Sequence, residues 1–557
     1  MKAIFKTLTL GLAVLLAASC SEEQGNSPDN PSTGDARTGV YSKISFTLPK
    51  ARSEASEGNE EARPNENNVG SILVILATRD AETAPFKYLT YALNDGQLTG
   101  EAGSNHTVVF QDKEALYNQH DNTVYIFAIC NPTEAIRTKI LGTLNPADGT
   151  YSGGMALGTE FTDEICSLAD GESIWSPNGF LMTSVDVLSK QLPSEAELRK
   201  CNTPEKALNL GKVEVLRVAN RFDFRDASPS DTPALTYEIR DENGTPDADG
   251  KRPLVASLTL TRAALFNLRQ EFYYFPRTLA ETEGATPVVF PGYAGMEDGY
   301  VVTPATRSFS ENCPARIDPL NVTEDLKWRD LSAVLGDTED DDNGWGETID
   351  PAADKLGYHI WRYGTENTWL ASDEATPEGT TGYVFEAQIT PAENFGNLTA
   401  DGKLGTMYLF ADKLYGSPMA IAAEVERVPV SRLATAFYAA FDVTKSGNTI
   451  TAATPKDDSV VEANGFTIYK PTSDDPAKGK YLCYYFANNT HNDNNDPTTV
   501  GPMEFATVRN NVYKLAVTSI KRFGSFKPSE QLEDWDTYFK LEVESKPWTV
   551  RVNNIDF

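Results

Sequence analysis

Few residues of this chain are typed and spaced for catalysis. Its four histidines, His106, His120, His359 and His491, lie far apart and form no H-E-x-x-H or H-x-H pair, so the sequence places none to share a metal or a proton with another. No G-x-S-x-G elbow, phosphate-cradling glycine loop or dinucleotide fingerprint occurs. Carboxylate pairs abound in a chain with 80 Asp and Glu, so they say nothing about glycoside hydrolysis. One acidic stretch, with Glu339, Asp341, Asn343, Gly344 and Asp350, roughly follows the ligand spacing of a calcium loop. Its first position is Glu where Asp is usual and no flanking helices are legible, so a solvated acidic loop is the preferred reading. We expect no cofactor and no enzyme.

Two positions instead suit chemistry done to the chain, and the first is the bond between Arg52 and Ser53. Just before it, Val40, Ser42, Ile44, Phe46 and Leu48 alternate with Tyr41, Lys43, Ser45 and Thr47, the pattern of a half-buried strand. Pro49 ends that strand because it has no amide hydrogen to give a ladder, and acidic chain with Gly and Asn follows to Asn68. A trypsin-like protease cutting after Arg52 would free the strand and leave its groove open. Cutting after Arg37 would leave the strand attached, and Arg63 is followed by Pro64, which makes a poor bond for such enzymes. The bland alternative is that Arg52 is an ordinary basic loop residue.

The second position is Cys20. Residues 1–19 carry Lys2 and Lys6, an apolar run and then small residues, which reads as a secretory signal peptide too short to span a membrane. Residues 16–20, LAASC, resemble the lipobox of bacterial lipoproteins, in which the cysteine is lipidated, with palmitate-type acylation; Ala17 stands where leucine is usual. Glu22 and Glu23 resemble the export signals of surface lipoproteins in Bacteroides-type bacteria, and residues 24–39 form a polar tether with Pro28 and Pro31. Without Cys20 an odd number of cysteines remains, with no C-x-x-C spacing. Most read as small buried residues, although Cys166 and Cys201 can bridge in an oxidising compartment.

A strand and a groove need a scaffold to hold them. At 557 residues the chain exceeds what one core supports, and 39 Gly and 32 Pro, scattered among 40% hydrophobic residues, suit many short strands and turns. Strands are expected at 71–77, 87–93, 107–111 and 123–129 in a first region, 53–208. In a second region, 209–557, they are expected at 212–224, 254–260, 383–389, 480–487, 511–520 and 538–545. Helical character is legible only in short pieces, at 132–141 and 194–199. The last stretch, 547–557, is peculiar. Trp548, Val550 and Val552 share one face, but Ile555 and Phe557 have the opposite parity, so its first half serves its own domain and its second half something else. A bulge at Asn553 and Asn554 is the competing reading. A net charge of −31 argues against nucleic acid or an anionic membrane surface as partner.

The segments GKYLCYYFANN, VRNNVYKLAVTSIKRFG and LEVESKPWTVRVNNIDF near the end of the chain, with SFTLPKAR, FLMTS, KVEVLRVANR and TGYVFEAQITP before them, resemble the fimbrillins of Bacteroides and Porphyromonas, the subunits of the protease-assembled (type V) pilus, and among them the shaft subunit of the short (minor) fimbria. The middle, 229–358, matches poorly. The resemblance implies an all-β chain of two tandem transthyretin-like β-sandwich domains with Greek-key-type antiparallel sheets and few short helices. It also implies export as a lipoprotein anchored to the outer membrane and removal of residues 20–52, including strand 40–48, by cleavage between Arg52 and Ser53. The C-terminal strand of a neighbouring copy would then fill the groove, giving a cell-surface fimbrium with anchor and tip subunits and a role in adhesion and biofilm formation. Here residues 527–536 form a short stretch where the related shaft subunit has a long Pro-rich one, which bears on the reach of the donor. The rival reading is a surface lipoprotein that binds glycan or a host ligand, stays attached through Cys20 and does not polymerise.

Overall fold

The computed structural model describes residues 39–47, 64–82, 84–95, 105–112, 115–161, 165–167, 174–175, 179–269, 271–280, 288–291, 299–301, 303–304, 328–336, 354, 357–368, 379–491, 503–526 and 539–547. The chain is an all-β protein with few short helices, built from β-sandwiches. In the N-terminal half one large sheet runs, in spatial order, Lys87–Asn94, Ile72–Thr78, Thr123–Cys130, Met182–Ser184, Leu208–Arg217, Val40–Thr47 and Asn105–Asp112. Its central strands are apolar runs, ILVILAT and TVYIFAIC, because they are covered on both faces; every residue from Ile72 to Ala77 is buried.

Two further sheets face each other in the C-terminal half. One runs His359–Gly364, Asn220–Arg225, Asn511–Ile520, Phe539–Pro547; the other runs Thr236–Arg240, Leu254–Phe266, Gly382–Pro391, Tyr481–Asn488. Their inner faces share one core, with Phe222 and Leu515 from the first sheet and Leu258, Phe385 and Tyr485 from the second. Most pairings are antiparallel, but Val40–Thr47 runs parallel to Leu208–Arg217, and Asn220–Arg225 runs parallel to Asn511–Ile520.

Two features depart from the expectations. The single strand expected over 212–224 is two strands, Leu208–Arg217 and Asn220–Arg225, and the first pairs within the N-terminal sheet. The chain therefore changes sheet at Val218 and Ala219, where both side chains are buried. The second half also holds an unexpected helical pair, Pro418–Arg427 and Arg432–Ala440. Ser417 and Ser431 cap them by accepting the Ala420 and Ala434 amide hydrogens, and Pro418 fits the first turn, where no amide donor is needed. With the hairpin Phe441–Ser446 and Thr449–Pro455, this pair encloses a core of its own around Ile421, Val425 and Phe437.

Candidate functional site

Strand Val40–Thr47 lies inside its sheet, next to the edge strand. It pairs with Leu208–Arg217 on one side, Ser42 facing Leu208 and Phe46 facing Val213, and with Asn105–Asp112 on the other, Val40 facing Asp112 and Ile44 facing Val108. Among the described residues, Asn105–Asp112 has no other ladder partner, so the Val40 strand alone connects it to the sheet. Taking the strand away would leave two rows of backbone donors and acceptors facing each other across one strand's width.

Side chains divide by parity. Val40, Ser42, Ile44 and Phe46 are fully buried, whereas Tyr41, Lys43 and Ser45 are half-exposed. Val40, Ile44 and Phe46 join the N-terminal core, each anchor worth roughly 1.5 to 3 kcal/mol on burial. Across the outer face the Ser45 and Thr107 hydroxyls lie 3.2 Å apart, and the Tyr41 amide donates to the Cys201 carbonyl at 2.8 Å. A Cβ on Gly39 would come within 2.7 Å of the Asp112 carbonyl oxygen, so glycine lets the chain meet its neighbour this closely. Opposite Ile44 the parallel partner bulges. Gly211 sits at φ 119°, in the region that favours glycine, and its amide donates to the Asn209 side chain.

The chain resumes at a short 3-10 turn, Pro64–Asn67, and there the contacts are of another kind. Glu66 is fully buried and accepts from Arg221 at 3.1 and 3.2 Å and from the Tyr363 hydroxyl at 2.7 Å. The same Arg221 grips Asp223 through two bonds of 2.8 Å, and Arg217 donates to the Glu66 carbonyl at 2.9 Å. Arg217 also donates to Asn67 and Asn510. Burial by itself would lower the Arg221 pKa, but Asp223 and Glu66 outweigh it and hold the guanidinium charge well above its usual range. Burial, then Glu66, push the Tyr363 hydroxyl well up, and burial lowers Arg217 to about 10, still far above neutrality. Two guanidiniums thus face two carboxylates in a dry seam between the N-terminal core and strand Asn220–Arg225. The sequence reading missed this seam. Its signal was NRFDFR, where Arg221, Asp223 and Arg225 make up one face and Phe222 and Phe224 lie on the other.

Of the residues singled out from sequence, the described set brings together Val40, Ser42, Ile44 and Phe46. Leu48, Cys20, Arg52 and Ser53, the donor residues Trp548, Val550, Val552, Ile555 and Phe557, and the calcium candidates Glu339, Asp341, Asn343 and Asp350 lie outside the described residues. The strand that precedes the expected donor stretch, Phe539–Pro547, is paired with Asn511–Ile520 and, among the described residues, has no other ladder partner. Cys201 is free, so a bridge to Cys166 is not made. Cys130 and Cys483 are buried free thiols, and burial raises the pKa of each to about 12. Among the described residues no cluster of His, Cys, Asp or Glu is arranged to hold a metal, and no helix is long and apolar enough to cross a membrane.

Residues 479–554 match the family model described as major fimbrial subunit protein type IV, fimbrillin, C-terminal. That match bears out the fimbrillin resemblance over the segment that carried it most strongly. No curated protein matches the chain. Among solved structures, the chain is similar to a fimbrilin (fimA) from Porphyromonas gingivalis, at 11% identity over 92% of this chain and 98% of that one, with a TM-score of 0.36. It is also similar to the tip fimbrial protein Mfa3 from the same organism, at 10% identity over 91% and 100%, with a TM-score of 0.31. Scores this low carry nothing further.

Proposed function

We propose that this chain is a structural shaft subunit of a cell-surface fimbrium of the minor-fimbria type, with no catalytic role. It is exported as a lipoprotein through Cys20, cut between Arg52 and Ser53 by an arginine-specific trypsin-like protease, and polymerised when residues 547–557 of a neighbouring copy replace strand 40–48. Its partners are other copies of itself, anchor and tip subunits, the protease and, before the cut, the outer membrane. Two sandwich domains in tandem form the body, and the chain passes from the N-terminal sheet to the C-terminal one at Val218 and Ala219.

The observation that carries this reading is that the first described strand is an interior one, followed in the sequence by the arginine at position 52. Removal of the strand opens a slot with two pairing rows and three apolar sockets. A slot of that kind is filled by backbone bonds plus alternate side-chain anchors. While tethered, the resident strand competes at an effective concentration of order millimolar, an advantage lost on cutting. Donor and slot are different surfaces, so the contact is head-to-tail and propagates as a filament.

Replacing Arg52 with Ala tests the cut. The variant is expected to stay a folded, lipid-anchored monomer with residues 40–48 still attached, read by mass spectrometry of the mature N-terminus and by electron microscopy for filaments. Normal filaments from this variant would remove the cut from the pathway.

A further inference from the structure

Ser42 is out of place in the slot. Its side chain is fully buried, and its hydroxyl has no hydrogen-bond partner among the described residues. Its surroundings are apolar on every side that the register defines. Val40 and Ile44 flank it along the strand, Phe110 faces it on the antiparallel neighbour and Leu208 on the parallel one, and all four contribute to or pack against the N-terminal core. A hydroxyl moved from water into such a site without a partner costs free energy, whereas an aliphatic side chain of similar size gains it.

We propose that Ser42 is the residue that makes the resident strand replaceable. Position 42 is an apolar subsite of the slot, occupied by a misfit while the strand is tethered. It selects an incoming strand that brings an aliphatic side chain of valine size to that socket, here the C-terminal stretch of a second copy with its Trp548, Val550 and Val552 alternation. The tether supplies what the misfit withholds. Once the chain is cut, the apolar anchors Val40, Ile44 and Phe46 must hold the strand against a competitor with no buried hydroxyl. This inference rests on the exchange reading above and adds the reason why exchange runs in one direction.

The test compares Ser42→Val with Ser42→Thr in the full chain. The two replacements have nearly the same shape and differ in the hydroxyl; Ser42→Ala serves as a third variant that adds no volume. Each protein is cut after Arg52, and two rates are followed: loss of the severed N-terminal fragment without competitor, and uptake of a synthetic peptide of residues 547–557. The expected result is that Ser42→Val and Ser42→Ala hold the fragment about tenfold longer than Ser42→Thr and wild type, the factor that 1.4 kcal/mol gives, and take up peptide correspondingly more slowly. Equal fragment loss from the Val and Thr variants would overturn the role of Ser42. Fragment loss that differs as expected, with no peptide uptake by any of the proteins, would uphold the misfit and sink the exchange reading instead.

Discussion

Strands Val40–Thr47 and Asn220–Arg225 hold the same place in their sheets, each with a parallel partner on one side and an antiparallel partner on the other. They are secured by different chemistry. The first buries Val40, Ile44 and Phe46 on one face and leaves the other half-exposed. The second buries both faces, sending Phe222 and Phe224 into its own sandwich and Arg221 and Asp223 into the charged seam with Glu66. Apolar sockets and ladder bonds accept any strand of suitable pattern. A buried guanidinium between two carboxylates accepts only its own partners, since removing one leaves an uncompensated charge. The generic contacts hold the segment proposed to leave, and the specific ones hold Glu66, the first firm anchor among the described residues that follow the proposed cut. On the proposed reading, a cut at Arg52 would free the strand and leave the contacts from residue 64 onward in place.

The largest expected effect breaks the specific side of this comparison. Glu66→Ala removes the carboxylate that accepts from Arg221 and Tyr363, leaves Arg221 with Asp223 alone while Arg217 keeps its bond to the main-chain carbonyl of residue 66, and should cost about 3 to 5 kcal/mol in urea unfolding. The loss should be equal in cut and uncut protein, because the seam lies downstream of Arg52; a loss below 1 kcal/mol would mean that something else retains this segment. Phe46→Ala strikes the generic side. It should destabilise the uncut monomer by about 3 kcal/mol or more and leave assembled filaments unchanged, since a replaced strand takes its Phe46 side chain with it. Filaments weakened to the same extent would mean that residues 40–47 are still in place.

How much of this was legible in sequence depended on what each residue's partners were. Strict alternation from Val40 to Phe46 is a local signal, and the structure places that strand in the sheet with those side chains inward. The apolar runs ILVILAT and TVYIFAIC were equally plain. The break at Val218 was not, because KVEVLRVANRFDF stays apolar enough to read as one strand while the chain crosses from one sheet to another. The helical pair at 418–440 was missed although Ser417-Pro418 and Ser431 are good start signals. Its Ala-rich turns bury against a small separate core that no neighbouring strand announces. The seam was the least legible feature of all. Glu66 is 155 residues from Arg221 and 297 from Tyr363, and no spacing rule joins residues that meet only after two sheets have packed.

Tyr363→Phe makes the finest cut into that seam, removing one donor to Glu66 while keeping the ring and both guanidiniums. Hydrogen bonds to charged groups are worth about 1.5 to 3 kcal/mol, so the variant should lose about that much near pH 8 and still fold. Its pH dependence gives a second readout. Burial and then Glu66 raise the Tyr363 pKa well above 10, so the folded chain keeps a proton that the unfolded chain gives up near pH 10. Stability from this group is thus whole below pH 10 and falls as pH rises beyond it, with a slope approaching 1.4 kcal/mol per pH unit. The other buried tyrosines contribute equally to both proteins and cancel in the difference. Urea midpoints at pH 8 and pH 11 should therefore show the gap between wild type and variant narrowing at the higher pH. A gap that stayed constant would mean that Tyr363 does not donate its proton to Glu66, and that Arg221 holds the carboxylate without it.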